Sequence, residues 1–240
     1  MQQLLADSWE SYVENFRLIL FFSLPFLLAV PVAMLLPNYL ALGGAFMRFA
    51  SVPVDVQLTD IVLMIVGFVI SLVLICFALV NITMLVRAQR GLIGIRREWL
   101  EAVGKYTSRV FWTFLFITAL IMLANIWLFE WGLHDLQGQL IAFVLWLPLF
   151  YVPQAVVIDE MGPVKAMAAS IRAIGSKPQF FLLWLALGIV ALSVVDGIAL
   201  ATGMFEARWA VLAVNALVVL PFLTVMQTHA YIRKFTILHH

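Results

Sequence analysis

Long runs without charge constrain this chain more than anything else in it. Leu18–Leu36, Ile61–Val86, Val110–Phe129, Leu140–Ile158, Phe180 to about Ala201 and Trp209–Tyr231 are apolar almost throughout, and the only Asp, Glu, Lys or Arg inside them is Asp196. An α-helix rises about 1.5 Å per residue, so about 20 residues cross a hydrocarbon layer of roughly 30 Å. Backbone N–H and C=O groups meet no water there and must bond within the segment, so such runs become helices. The sequence therefore predicts an all-α bundle of six transmembrane helices, a single integral membrane domain over residues 1–240. Composition agrees, with 65% of residues hydrophobic and 11% charged, whereas a soluble domain carries about 25% charged residues.

Basic residues set the expected orientation, because lysine and arginine in short loops favour the cytoplasmic side. With the N-terminus inside, the cytoplasmic segments collect Arg17, the group from Arg87 to Arg109, then Lys165, Arg172 and Lys177, and finally Arg233 and Lys234; Arg48 and Arg208 fall outside. An odd number of spans would mix the two groups. The expectation is a cell-membrane protein with both termini cytoplasmic. The acidic N-terminal segment, with Asp7, Glu10 and Glu14 and no basic residue before Arg17, is the reverse of a secretory leader, so the first run is read as retained.

The cytoplasmic segments show helical periodicity of their own. Leu5, Trp9, Tyr12 and Phe16 fall on one face, as do Trp99, Val103, Tyr106 and Val110, and again Val164, Met167, Ile171 and Ile174. Pro163 suits a first helical turn and Gly175 a stop. Three amphipathic interfacial helices are predicted, and with them a three-unit pattern over about 4–60, 96–139 and 163–231, the first unit's return span being 61–86. Divergence from one ancestral unit and a shared preference of short loops for the interface both account for it.

The stretch Val157-Ile-Asp-Glu-Met-Gly-Pro-Val-Lys-Ala-Met-Ala-Ala-Ser170, followed by a basic turn and an apolar span, resembles a motif of a poorly characterised six-helix integral membrane family. That family resembles the membrane domain fused to some glycerophosphodiester phosphodiesterases. Ser8-Trp9 and the region from Tyr12 to Phe16, before a span, are similar to the family's start, and Lys177 stands where an asparagine-like residue is expected. The resemblance implies six helices and no settled activity.

Chemistry is sparse. The histidines at 134, 229, 239 and 240 lie in different regions, Cys76 is the single cysteine, and no metal-binding, nucleotide-binding or nucleophile motif is present. No cofactor, metal or nucleic-acid partner is expected, and no enzymatic activity. Asp196 is the one intramembrane acid, roughly 24 Å along its helix by residue count. Asn125 and Asn215 fall at a similar depth, so the three form either a polar site that binds a cation or moves a proton, or a solvated carboxylate and two interhelical amides. Asn81, Gln154 and His229 make a matching set toward the cytoplasmic ends. Pro148 and Pro153 mark the fourth helix as the one to be irregular. Arg87, Arg90, Arg96 and Arg97 are candidate contacts for anionic lipid headgroups, or simply topogenic charge.

The expected partners are the lipid bilayer and, within it, anionic lipids or another membrane protein. The leading functional expectation is a non-enzymatic scaffold, assembly or lipid-organising component; the alternative is a small transporter or channel coupled to a proton or cation through Asp196.

Overall fold

A computed structural model describes residues 2–34, 40–41, 46–47, 58–89, 98–131, 136–202 and 207–233. Helices dominate: α1 (Gln2–Glu14), α2 (Phe16–Met34), α3 (Leu58–Gln89), α4 (Glu98–Glu130), α5 (Leu136–Trp146), α6 (Val152–Ile158), α7 (Pro163–Ser176), α8 (Pro178–Thr202), α9 (Ala207–Val214) and α10 (Leu220–Ile232). Between α2 and α3, Leu40–Ala41 (β1) pairs antiparallel with Phe46–Met47 (β2). Among the described residues five helical stretches are long and apolar enough to cross a membrane: Ile65–Gln89, Glu101–Asn125, Gln137–Ile158, Pro178–Ile198 and Trp209–Ile232. A sixth is counted if α1 and α2, which meet at 90° around Asn15, form one bent span.

The segment from Trp99 to Val110, expected as a separate interfacial helix, is the opening of α4. No proline interrupts it and one glycine costs only about 1 kcal/mol, so the helix runs on through the third apolar stretch. At 33 residues, α4 is about 50 Å long, well beyond a 30 Å layer.

The face of α1 that packs is displaced from the expected one. Leu4, Ser8, Ser11 and Tyr12 are buried, while Trp9 and Phe16 are exposed. Small serines let α1 lie close against α10, and Ser8 Oγ donates back to Leu4 O at 2.6 Å. In α7 the buried face is Ala166, Ala169, Ser170 and Ala173, and the apolar Val164 and Ile171 stand outward, 75% and 54% exposed.

The fourth apolar stretch is broken, as its prolines predict. After α5 come a 3-10 turn at Leu147–Leu149, then Phe150 and Tyr151, then α6. Pro148 and Pro153 offer no N–H, so carbonyls one turn earlier lose their helical donors. The gap is bridged from outside: Tyr151 N donates to Ser170 Oγ at 2.9 Å, Ser170 Oγ lies 3.5 Å from Leu147 O, and Gln227 Nε2 donates to Phe150 O. The Phe150 ring is held edge-on by Phe181 and Trp184, at 4.9 and 4.8 Å between centroids.

The last stretch carries a second irregularity. Asn215–Val219 is a π-helical turn, with Leu220 N–H bonded to Asn215 O. Pro221 follows at once, and widening the turn before it relieves the clash its ring makes with the preceding carbonyls.

Packing is concentrated at the end of the bundle where the basic residues lie. Every residue from Val80 to Val86 in α3 and from Tyr151 to Val157 around α6 is buried. A short helix buried on all sides needs neighbours all round, and α6 has α3, α4, α7 and α10. The opposite half is open: in α8, Ile189, Val190, Val194 and Ile198 are each more than half exposed.

Candidate functional site at the basic end of the bundle

The turn Asp159–Gly162, between α6 and α7, gathers side chains from three other helices. Arg87 of α3 donates through Nη1 to Val157 O and lies 3.4 Å from Glu160 Oε1 through Nη2. From α4, the Tyr106 hydroxyl hydrogen-bonds the Glu160 carboxylate, and Arg109 Nη1 donates to Glu160 O at 3.2 Å. Tyr231 of α10 donates to Asp159 Oδ2 at 2.5 Å. The turn exists because α6 ends there: Asp159 N and Met161 N both return to Ala155 O, leaving the Val157 carbonyl to Arg87.

Glu160 has φ 54°, the left-handed region, without being glycine. That backbone costs roughly 1–2 kcal/mol and is held by its surroundings. The hydrogen bond from Tyr106 holds the Glu160 carboxyl below its usual range; burial opposes it, and the Arg87 guanidinium and the Lys105 charge add to the lowering. The Glu160 anion is therefore favoured beside the two guanidinium groups.

A second set of contacts ties in the chain ends. Arg233 Nη2 pairs with Asp7 Oδ2 at 2.6 Å, Lys177 Nζ donates to Arg233 O at 2.8 Å, and Ser11 Oγ donates to Gln89 Oε1. Partial burial, and then the nearby Arg233 charge, lower the Lys177 pKa. Through these contacts α1, α3, α8 and α10 are joined, and with the Asp159–Gly162 turn they make one polar cap over the buried α6.

Asn81, Gln154 and His229 are all buried, on α3, α6 and α10, three helices that pack against one another. Asn81 Nδ2 bonds Phe77 O of its own helix at 2.8 Å. Gln154 is the unusual member: it is fully buried, and among the described residues neither its Nε2 nor its Oε1 has a hydrogen-bond partner.

Asp196, Asn125 and Asn215 are not joined by any hydrogen bond among the described residues. Asn125 Nδ2 bonds Ile121 O of its own helix at 2.8 Å, Asn215 begins the π turn with its side-chain oxygen buried and unbonded, and Asp196 is exposed on α8. Arg87, considered for lipid headgroups, is instead spent inside the protein, its side chain only 12% exposed. Arg90, Arg96 and Arg97 lie outside the described residues, as do His134, His239 and His240. Among the described residues no group of histidine, cysteine and acidic side chains is arranged to hold a metal ion.

Sequence reasoning carried Asp159 and Glu160 only within the Val157–Ser170 stretch, and missed Tyr106 and Tyr231 as their partners. The available signal was an acidic pair directly after an apolar run and just ahead of a basic segment, Lys165 to Lys177. No family model, curated protein or solved structure matches this chain.

Proposed function

We propose that the chain is a six-span cell-membrane protein with both termini cytoplasmic, and that it works as a non-enzymatic scaffold, assembly or lipid-organising component through its basic end. The observation that carries this reading is the outward face of α7. Its small residues and Ser170 fix the helix to the bundle, so Val164 and Ile171 are displayed outward with the exposed Lys165 and Arg172 along one side of them. An apolar stripe flanked by cations suits anionic lipid or an acidic, partly apolar partner helix. The ionic groups around α6 are engaged with one another, which favours a rigid support over a solvated path. On this reading the stretch Val157–Ser170, which resembles a motif of the six-helix membrane family, contains the cap's central turn.

Ile171→Glu should remove co-purifying anionic lipid or a cross-linked membrane partner by about fivefold to tenfold, because it charges a surface that must lie against apolar groups. The measurement is lipid content and cross-linked species from native membranes; no change in either would sink the reading.

Transport is the second reading. A discontinuous span beside an unpartnered buried amide is how transporters build binding sites, and the break at Leu147–Tyr151 close to Gln154 in sequence has that form. On this reading Asp196→Asn abolishes proton- or cation-driven flux in proteoliposomes without loss of folding, and an unaltered flux rules out the role given to Asp196.

A further inference from the structure

One line of exposed residues, spaced three or four apart, runs the length of α4. Its first part is polar: Glu101, Lys105 and Ser108. From Trp112 it is apolar, through Phe116, Leu120, Leu123 and Trp127, each at least 40% exposed. Trp131, just past the end of the helix, closes the line, its ring 5.8 Å from that of Trp127. A different side of α4, with Val103, Tyr106, Val110, Ile117 and Ile121, is buried in the bundle.

The dimensions of the apolar part match a bilayer. Along the helix axis Trp112 lies about 22 Å from Trp127 and about 28 Å from Trp131, close to the roughly 30 Å of a hydrocarbon layer. Indoles collect at the two interfaces of such a layer, where the apolar ring and the polar N–H are both accommodated. Charge resumes at each end, with Arg109 and Lys105 before Trp112 and Glu130 between the last two indoles. A partner helix laid along this line would meet six bulky side chains and none small enough to admit close backbone approach. Fluid acyl chains need no such approach.

We propose that this line faces the acyl chains of both leaflets, with Trp112 at the interface on the basic side and Trp127 and Trp131 at the other. The excess length of α4 then falls on one side: Glu98 to Phe111, roughly 20 Å, lies on the basic side of Trp112. Arg109, with the Asp159–Gly162 turn it holds, is at headgroup level, and Glu101 reaches the water beyond. The inference rests on the membrane-spanning part of the function proposed above, and on neither the scaffold nor the transport reading.

The test uses spin labels on four exposed positions, introduced by Glu101→Cys, Trp112→Cys, Leu120→Cys and Trp127→Cys in the full chain. Cys76, the single native cysteine, is fully buried, so the unsubstituted protein is the unlabelled control. Each variant is reconstituted in vesicles of phosphatidylcholine and phosphatidylglycerol. Collisions with oxygen, which concentrates among acyl chains, are compared with collisions with an aqueous nickel chelate. The oxygen-to-nickel ratio should peak at Leu120, fall at Trp112 and Trp127, and be lowest at Glu101. A phosphatidylcholine with a photoreactive group at its acyl terminus supplies a readout free of substitutions. It should label the α4 peptide containing Leu120 and Leu123 and leave Glu98–Lys105 unlabelled.

A Leu120 label shielded from both reagents overturns the proposal, because protein then covers the line, and a disulfide-linked dimer of Leu120→Cys would identify that protein as a second copy of the chain. A Glu101 label with the oxygen preference of Leu120 also overturns it, by placing the opening of α4 among the acyl chains. Nickel access at all four positions would remove the membrane-spanning reading as well. Unchanged association in Ile171→Glu, which sinks the scaffold reading, leaves the expected profile along α4 intact, so the two failures are distinguishable.

Discussion

Arg87→Ala should destabilise the folded protein by about 2–3 kcal/mol, the loss expected when a charge-assisted hydrogen bond to a buried acceptor is removed. Two contacts disappear, and they are unequal. Glu160 is 54% exposed, so its ion pair with Arg87 contributes little by itself. Val157 is fully buried, and its carbonyl loses the donor that closes the end of α6. Arg87→Lys should recover only part of the loss, because an ammonium cannot reach carbonyl and carboxylate with a planar fork. Glu160→Gln should cost less than about 1 kcal/mol on the same grounds. Unfolding in mixed detergent micelles with increasing SDS measures all three. Equal effects for Arg87→Ala and Glu160→Gln would mean that the ion pair, and not the Val157 carbonyl, is what Arg87 secures.

Gln154→Leu should move stability the other way. A buried amide with neither end bonded costs about 1–3 kcal/mol, and leucine, of similar size, removes the polar atoms without opening a cavity. A gain of about 1–3 kcal/mol in the same SDS titration is therefore expected. A loss of similar size would show that the amide is bonded in the folded protein. A more stable variant that no longer supports flux would instead assign Gln154 to transport, since natural chains retain a destabilising buried group where activity needs it.

The two substitutions also mark where the sequence was readable. Uncharged runs and the prolines at 148 and 153 follow from rules that act along the chain, and they announced the helices and the break in the fourth stretch. The continuity of α4 was less visible, because the periodicity of Trp99, Val103, Tyr106 and Val110 says which residues share a face but not whether the axis turns. On α1 and α7 the apolar stripe did not identify the packed face. Serine and alanine there permit close approach to a neighbour, an advantage that hydropathy does not register. The cap was illegible for a different reason. Arg87 and Glu160 are 73 residues apart and Asp7 and Arg233 are 226 apart, and a single sequence carries no information on which distant charges will meet. Counting Arg87 among basic loop residues gave its sign correctly and its destination wrongly. The grouping of Asp196, Asn125 and Asn215 rested on depth alone, which sets a level in a bilayer but not a bearing around each helix axis; among the described residues no hydrogen bond joins the three.

The packing of α1 against α10 has a consequence for how the chain is made. Ribosomes add roughly 5–20 residues per second, so the first helix precedes its partner by on the order of ten to forty seconds. During that interval Leu4, Ser8 and Tyr12 lack the surface that buries them, and Asp7 has no Arg233 to pair with. Of the contacts α1 makes, those with α10 are thus secured last. A nascent protein arrested before α10 leaves the face of α1 that α10 covers open to proteases and to whatever assists insertion, and synthesis of α10 closes it.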